Sequence, residues 1–125
     1  MSNKLKIVIA GSRTFNDYKL LKSVVIDYIG GMAYNNIEIV SGGANGADNL
    51  GEKLANELGC SLRIFPADWD KYGKSAGVRR NEQMAIYSDA VIVFWDGISK
   101  GTQNMIDNAK KHNCALHINL YNQTK

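Results

Sequence analysis

Pro66 is the single proline in this 125-residue sequence, and Cys60 and Cys114 are the two cysteines. One proline leaves no Pro-rich linker to separate modules. Two cysteines without C-x-x-C spacing exclude a disulfide framework, so reduced thiols in a cytoplasmic setting are the default. The two histidines, His112 and His117, share no ligand spacing with the cysteines, and no metal site is expected. No apolar run approaches the length of a membrane span, and the N-terminus lacks the apolar core of a secretory signal, so no membrane partner is expected. Excess charge is also small: fifteen Lys and Arg against twelve Asp and Glu leave +3. With no basic cluster beyond Arg79-Arg80 and Lys110-Lys111, this balance argues against nucleic acid as a partner.

What is present is an ordinary globular composition, 45% hydrophobic and 22% charged, without repeats, which fits one domain over residues 1–125. Short β-branched runs read as strands at Leu5–Ala10, Ile37–Val40, Ser61–Phe65, Ala90–Trp95 and Ala115–Leu120. Four segments with helical spacing lie between them. The first opens at Asn16 or Asp17; Asn16 as N-cap would place Phe15 and Leu20 as a hydrophobic staple. Its apolar stripe is Leu20, Leu21, Val24, Tyr28 and Ile29, and Gly30-Gly31 ends it. The second runs from Ala47 to Gly59, with small residues Ala47, Gly51 and Ala55 suited to close approach. Residues 67–75 show no period and read as a functional loop, with a helix over Ala76–Tyr87 after it. The last helix presents Met105, Ile106 and Ala109 inward. The tail from Tyr121 to Lys125 reads as loose. Strands alternating with helices predict an α/β, Rossmann-like open parallel sheet of about five strands with helices on both faces.

In such a sheet the ligand site lies beyond the carboxyl ends of the strands. The residues just past those ends are Gly11, Ser12 and Arg13; the turn Ser41, Gly42, Gly43, Ala44, Asn45, Gly46 and Asp48; Trp69; and the turn Asp96, Gly97, Ser99, Gly101 and Thr102. Arg79, Arg80 and Asn81 open a neighbouring helix. Glycines at strand-to-helix junctions bring backbone N–H groups and a helix dipole to bear on an anion, most often a phosphate. Each residue also has a plainer reading. Arg13 can pair with a carboxylate, and Asp48 can complement a helix dipole rather than bind a ribose hydroxyl. Trp69 can pack in the core rather than stack on a base, and Trp95 reads as packing. Ser99 and Thr102 can both be N-caps. Arg79 and Arg80 stand about 100° apart on a helix, so only one is expected to face a ligand. Two standard phosphate motifs are absent. Gly46 is followed by Ala47-Asp48 rather than the Lys-Ser/Thr of a P-loop, and Gly11 stands alone where a dinucleotide fingerprint would begin.

The motifs Gly11-Ser12-Arg13-Thr14-Phe15 with Asp17, Ser41-Gly42-Gly43-Ala44-x-Gly46-Ala47-Asp48, Ala67-x-Trp69, Ala76-Gly77-x-x-Arg80-Asn81-x-x-Met84 and Gly101-Thr102 together resemble the small YspA-like branch (cpYpsA-related) of the SLOG superfamily, which takes its name from the Smf/DprA and LOG proteins. The resemblance implies a nucleotide or an NAD- or ADP-ribose-derived ligand, no certain cofactor, and a homodimer or larger homo-oligomer. Kinship with LOG phosphoribohydrolases raises an enzymatic alternative, hydrolysis of an N-glycosidic or phosphate bond. Asn81 stands where those enzymes carry lysine and Met105 where they carry glutamate, and a methionine cannot serve as a general acid. Asp48 and Glu82 are the candidate catalytic substitutes, with Glu52 and Asp68 also open. Kinship with DprA raises DNA binding as a further alternative, against which the small charge speaks.

Overall fold

The computed structural model describes residues 4–121. Its elements are β1 (Leu5–Gly11), α1 (Tyr18–Ile29), β2 (Ile37–Ser41), α2 (Ala47–Leu58), β3 (Ser61–Ile64), a short α3 (Trp69–Tyr72), α4 (Ala76–Tyr87), β4 (Ala90–Trp95), α5 (Lys100–Lys111) and β5 (Ala115–Leu120), with single 3₁₀ turns at Tyr34–Asn36 and Gly73–Ser75. The strands form one sheet in the order β3-β2-β1-β4-β5, and every neighbouring pair is parallel. This is an α/β, Rossmann-like sheet. The chain winds outward from β1 through β2 to β3, then crosses back to lay β4 on the other side of β1. Strand order therefore reverses at the β1/β4 junction, where a crevice opens past the strand ends.

Side-chain alternation explains why helices cover both faces. Ile7 and Ile9 of β1 join Ile37, Ile39, Ile92 and Phe94 under α1 and α2. Val8 and Ala10 face the opposite way, with Val40, Val91 and Val93 beneath Met84, Ala85, Met105 and Ile106 of α4 and α5. A strand buried on both sides reads as a continuous apolar run, as β1 and β4 do. On α2 the small residues allow the expected close approach: a Cβ at Gly51 would stand 2.9 Å from the Cβ of Ile9.

Several local expectations are corrected. Asp17, not Asn16, caps α1, its carboxylate accepting the Leu20 N–H at 3.0 Å. The staple does not form: Leu20 is exposed, and Phe15 is buried, stacked on Phe94 with ring centroids 4.9 Å apart. The buried stripe of α1 is Leu21, Val25 and Ile29, leaving Tyr28 exposed. Residues 67–75 are not an irregular loop. Asp68 caps α3 by accepting the Lys71 N–H at 3.1 Å, and the 3₁₀ turn leads directly into α4. Pattern reading missed these elements because each is a single turn, too short to show a period. Tyr121 is not loose; its ring packs edge-on to Phe15 at 4.9 Å. Residues 122–125 of the expected tail lie outside the described residues. Among the described residues no helix is long and apolar enough to cross a membrane, and no group of His, Cys, Asp and Glu is arranged to hold a metal.

Candidate functional site

The connection after β1 is bound to the end of β4. Gly11 is required by packing alone, because a Cβ there would stand 2.2 Å from the Phe94 carbonyl oxygen. Ser12 donates its N–H to that same oxygen at 3.0 Å, and its Oγ accepts the Asp96 N–H at 3.2 Å. Only 1% of Ser12 is exposed. Its hydroxyl thus joins the β1 and β4 turns rather than lining the space between them. Gly46, at φ +82°, lets the α2 turn press on the carbonyls of Ser12 and Arg13, where a Cβ would lie 2.4 and 2.6 Å away.

The glycine turn after β2 satisfies itself. The Asp48 carboxylate, from the first turn of α2, accepts the Gly42 N–H at 3.2 Å and the Ala44 N–H at 3.4 Å. Ser41 accepts the Gly43 N–H on its Oγ at 3.0 Å and donates the hydroxyl to Glu52 at 2.7 Å. Ser41 is fully buried, and Asp48 is 5% exposed. The expectation that the amides of Gly42, Gly43 and Ala44 wait for a ligand anion is therefore corrected: side chains of the same segment already fill them. Burial pushes the Asp48 carboxyl up to about 6, against the opposing pull of the Ala44 N–H and the Arg80 charge.

Cationic groups converge on the same place. Arg80 extends from α4, donating from Nη1 to the Gly42 carbonyl and from Nε to Asn81 Oδ1 at 3.0 Å. Its pKa is lowered, first by burial; the Asp48 charge opposes this, and the Arg13 charge adds to it. Among the described residues no carboxylate lies within ion-pair distance of either guanidinium. Arg79 points elsewhere, bonding Ser75 Oγ at 3.1 Å and lying over the Tyr72 ring. Of the adjacent pair, Arg80 alone reaches the cleft.

Ala10, Gly11, Arg13, Ala44, Asp48, Arg80, Asn81, Ser99, Gly101 and Thr102 line a cleft of about 470 Å³, solvent-open space included, with Met84 and Met105 as its apolar floor. Arg13, Ala44 and Arg80 also border a second groove of about 540 Å³, whose other walls are Gly42, Gly43, Asn45 and Trp69. Trp69 is 52% exposed, so the core reading does not hold; its indole edge rests on Gly77 at the start of α4. Ser99 takes the N-cap position of α5 without a side-chain capping bond, Thr102 lies inside the helix rather than capping it, and the N–H groups of the first turn (Lys100, Gly101, Thr102) have no intrahelical acceptor. Asp96 accepts the N–H groups of Ile98 and Ser99 at 2.9 and 2.8 Å, which lowers its pKa and shapes the turn through Gly97.

Asn81 holds this helix end in place, donating to the Gly101 carbonyl at 3.3 Å and to Asn104 Oδ1 at 3.0 Å. Asn108 donates to the same Asn104 oxygen at 3.1 Å. Sequence reading missed Asn104 and Asn108; their i, i+4 spacing beside buried Met105 and Ile106 was the available signal. Of the catalytic candidates, Asp48 borders the cleft and Glu82 does not. Glu82 is paired with Lys111 at 2.9 Å and His112 at 3.0 Å near the far end of α5. Glu52 is engaged by Ser41, and Asp68 caps α3.

Residues 5–72 match the model of the YspA, cpYpsA-related SLOG family. The Gene 61 protein of Mycobacterium phage D29 is 30% identical over 112 residues, covering 85% of this chain and 89% of that protein. DNA processing protein A (DprA) from Streptococcus pneumoniae superposes with a TM-score of 0.73 at 20% identity, over 93% of this chain. DNA processing protein A from Helicobacter pylori, described for its single-stranded DNA binding mode, gives 0.62 at 23% over the same share. This chain spans half the length of the first of these structures and 65% of the second. The expectation that nucleic acid is an unlikely partner is thereby corrected: a protein of the same fold is described for its single-stranded DNA binding mode. The family model covers more than half of the chain, which belongs to the YspA, cpYpsA-related SLOG family.

Proposed function

We propose that this chain, acting as one domain, binds a nucleotide or an NAD- or ADP-ribose-derived molecule at the carboxyl edge of β1 and β4. The phosphate lies between Arg13, Arg80 and the first turn of α5, and the base lies against Trp69. The observation that carries this reading is the pair of guanidiniums sharing one cleft with a single bordering carboxylate, Asp48, which acts on Arg80 at a distance and is already held by the turn's amides. Exposed Arg13 adds a second positive charge to that of partly buried Arg80, and one carboxylate does not balance two guanidiniums, so an added anion is favoured there. Open amides at a helix N-terminus add to that preference.

Calorimetry and thermal shift with AMP, NAD and ADP-ribose test the reading. Binding by at least one of them, lost in Arg80→Ala, supports it; no binding across the three at low salt overturns it. Recovery of intact ligand after incubation separates a binder from a hydrolase. A second reading, single-stranded DNA, is favoured by the fold shared with the Helicobacter protein and by an exposed Trp69 beside two arginines. An oligothymidylate bound in a strongly salt-dependent manner, with the three small molecules ignored, would select it.

A further inference from the structure

Phosphate-binding glycine turns ordinarily leave their amides open to the ligand. Here the Gly42 and Ala44 amides point at Oδ2 of Asp48, the one carboxylate bordering the cleft. A Cβ added at Gly42 would stand 2.8 Å from both Asp48 Oδ2 and Arg80 Nη1, which shows how tightly carboxylate, turn and guanidinium are gathered. We infer that Asp48 is a built-in competitor anion: its carboxylate holds the turn's amides, a ligand phosphate is held instead by Arg13, Arg80 and the first turn of α5, and its arrival drives Asp48 to take up a proton from solvent. This deepens the anion-binding reading and rests on it.

The charges facing Asp48 set the direction. Arg80 from α4 favours its ionised form, and Glu52 on its own helix opposes it; Arg13 acts on Arg80 from the β1–α1 connection. An incoming phosphate draws on the same guanidiniums and adds negative charge nearby, so ionised Asp48 loses its support. Protonation on Oδ1 then removes the repulsion, and Oδ2 still accepts from both loop amides. Burial already brings this carboxyl to about 6, within reach of such a shift at neutral pH. Ligand affinity is therefore linked to proton uptake at a single residue.

ADP-ribose and oligothymidylate are suitable probes, because neither the doubly esterified pyrophosphate of the first nor the phosphodiesters of the second titrate near neutrality. Calorimetry of the full chain at pH 7.0, in two buffers of different ionisation enthalpy, should show net proton uptake on binding of whichever probe binds. Affinity should fall by up to about tenfold between pH 6.5 and 7.5. Asp48→Asn keeps an acceptor for the two amides without the charge. It should abolish the uptake, flatten the pH dependence and bind about tenfold tighter than the wild type at pH 7.5. Binding without proton uptake in the wild type overturns the inference and leaves anion binding standing; that measurement decides even if Asp48→Asn does not fold. An Asp48→Asn protein that binds more weakly with its pH slope intact overturns it as well. If neither probe binds the wild type at pH 5.5, the anion-binding reading fails and the inference fails with it.

Discussion

Arg80 hydrogen-bonds the carbonyl oxygen of Gly42 across the gap between α4 and the glycine turn. The guanidinium that faces the cleft is thus also a fastener of the turn that borders it. Arg80→Ala should cost both functions: ligand binding falls at least tenfold, and unfolding stability drops by about 1–3 kcal/mol for the lost charge-assisted bond. Arg80→Lys should restore part of the stability and little of the affinity, since an ammonium lacks the fork that reaches two acceptors. Urea denaturation and calorimetry read the two effects separately.

Gly51 tests how closely α2 lies on the sheet. Helix propensity alone predicts that Gly51→Ala stabilises by about 1 kcal/mol. The new Cβ would stand 2.9 Å from the Cβ of Ile9, a fully buried residue of the central strand that has no room to move. Overpacking wins, and a net loss of about 1–2 kcal/mol is expected by denaturant titration.

Buried Asp48 makes stability depend on pH with a definite sign. Its carboxyl is raised from 3.8 to about 6 in the folded chain. A raised folded value means the contribution is fully present below the unfolded value and is lost as pH rises through the folded one. Ionisation should therefore withdraw about 3 kcal/mol between roughly pH 4 and pH 7. Plots of Tm against pH for wild type and Asp48→Asn should diverge over that window, with the variant the flatter.

Trp69 has half its surface in solvent and contributes little to the core. Trp69→Ala should leave the unfolding free energy within about 0.5 kcal/mol. If a base stacks on the indole, the same change weakens binding by about 1–3 kcal/mol, and ligand should quench the fluorescence of the wild type.

Glu82 supplies the contrasting control. Its carboxylate is committed to Lys111 and His112, away from the cleft. Glu82→Gln should leave ligand binding unchanged and stability lowered by at most about 1 kcal/mol, as for other exposed pairs.

The fold was largely legible because its signals are local and repeated. Apolar runs in β1 and β4 announce strands buried on both faces, and the α2 pattern of Ala47, Gly51 and Ala55 announces contact with a neighbour. The cleft was legible at the level of turns, since parallel topology brings every strand's carboxyl end to one edge. Which atom each residue offers was not. Ser12, Ser41 and Asp48 carry hydroxyl or carboxylate groups beside glycines, and a linear sequence cannot say whether such groups turn toward a ligand or toward the adjoining backbone. Here all three meet backbone N–H groups. The α3 turn and the Phe15–Tyr121 contact escaped for a related reason: one has no period, and the other joins residues from opposite ends of the chain.

The amide bridge from Asn81 through Asn104 to Asn108 has a mechanical consequence. Side-chain amides with fixed donor and acceptor ends tolerate little sliding, so α4 and α5 travel together where they meet the cleft. Arg80 ties the same helical pair to the glycine turn, so any widening of the mouth between α4 and that turn must first break the bond to the Gly42 carbonyl.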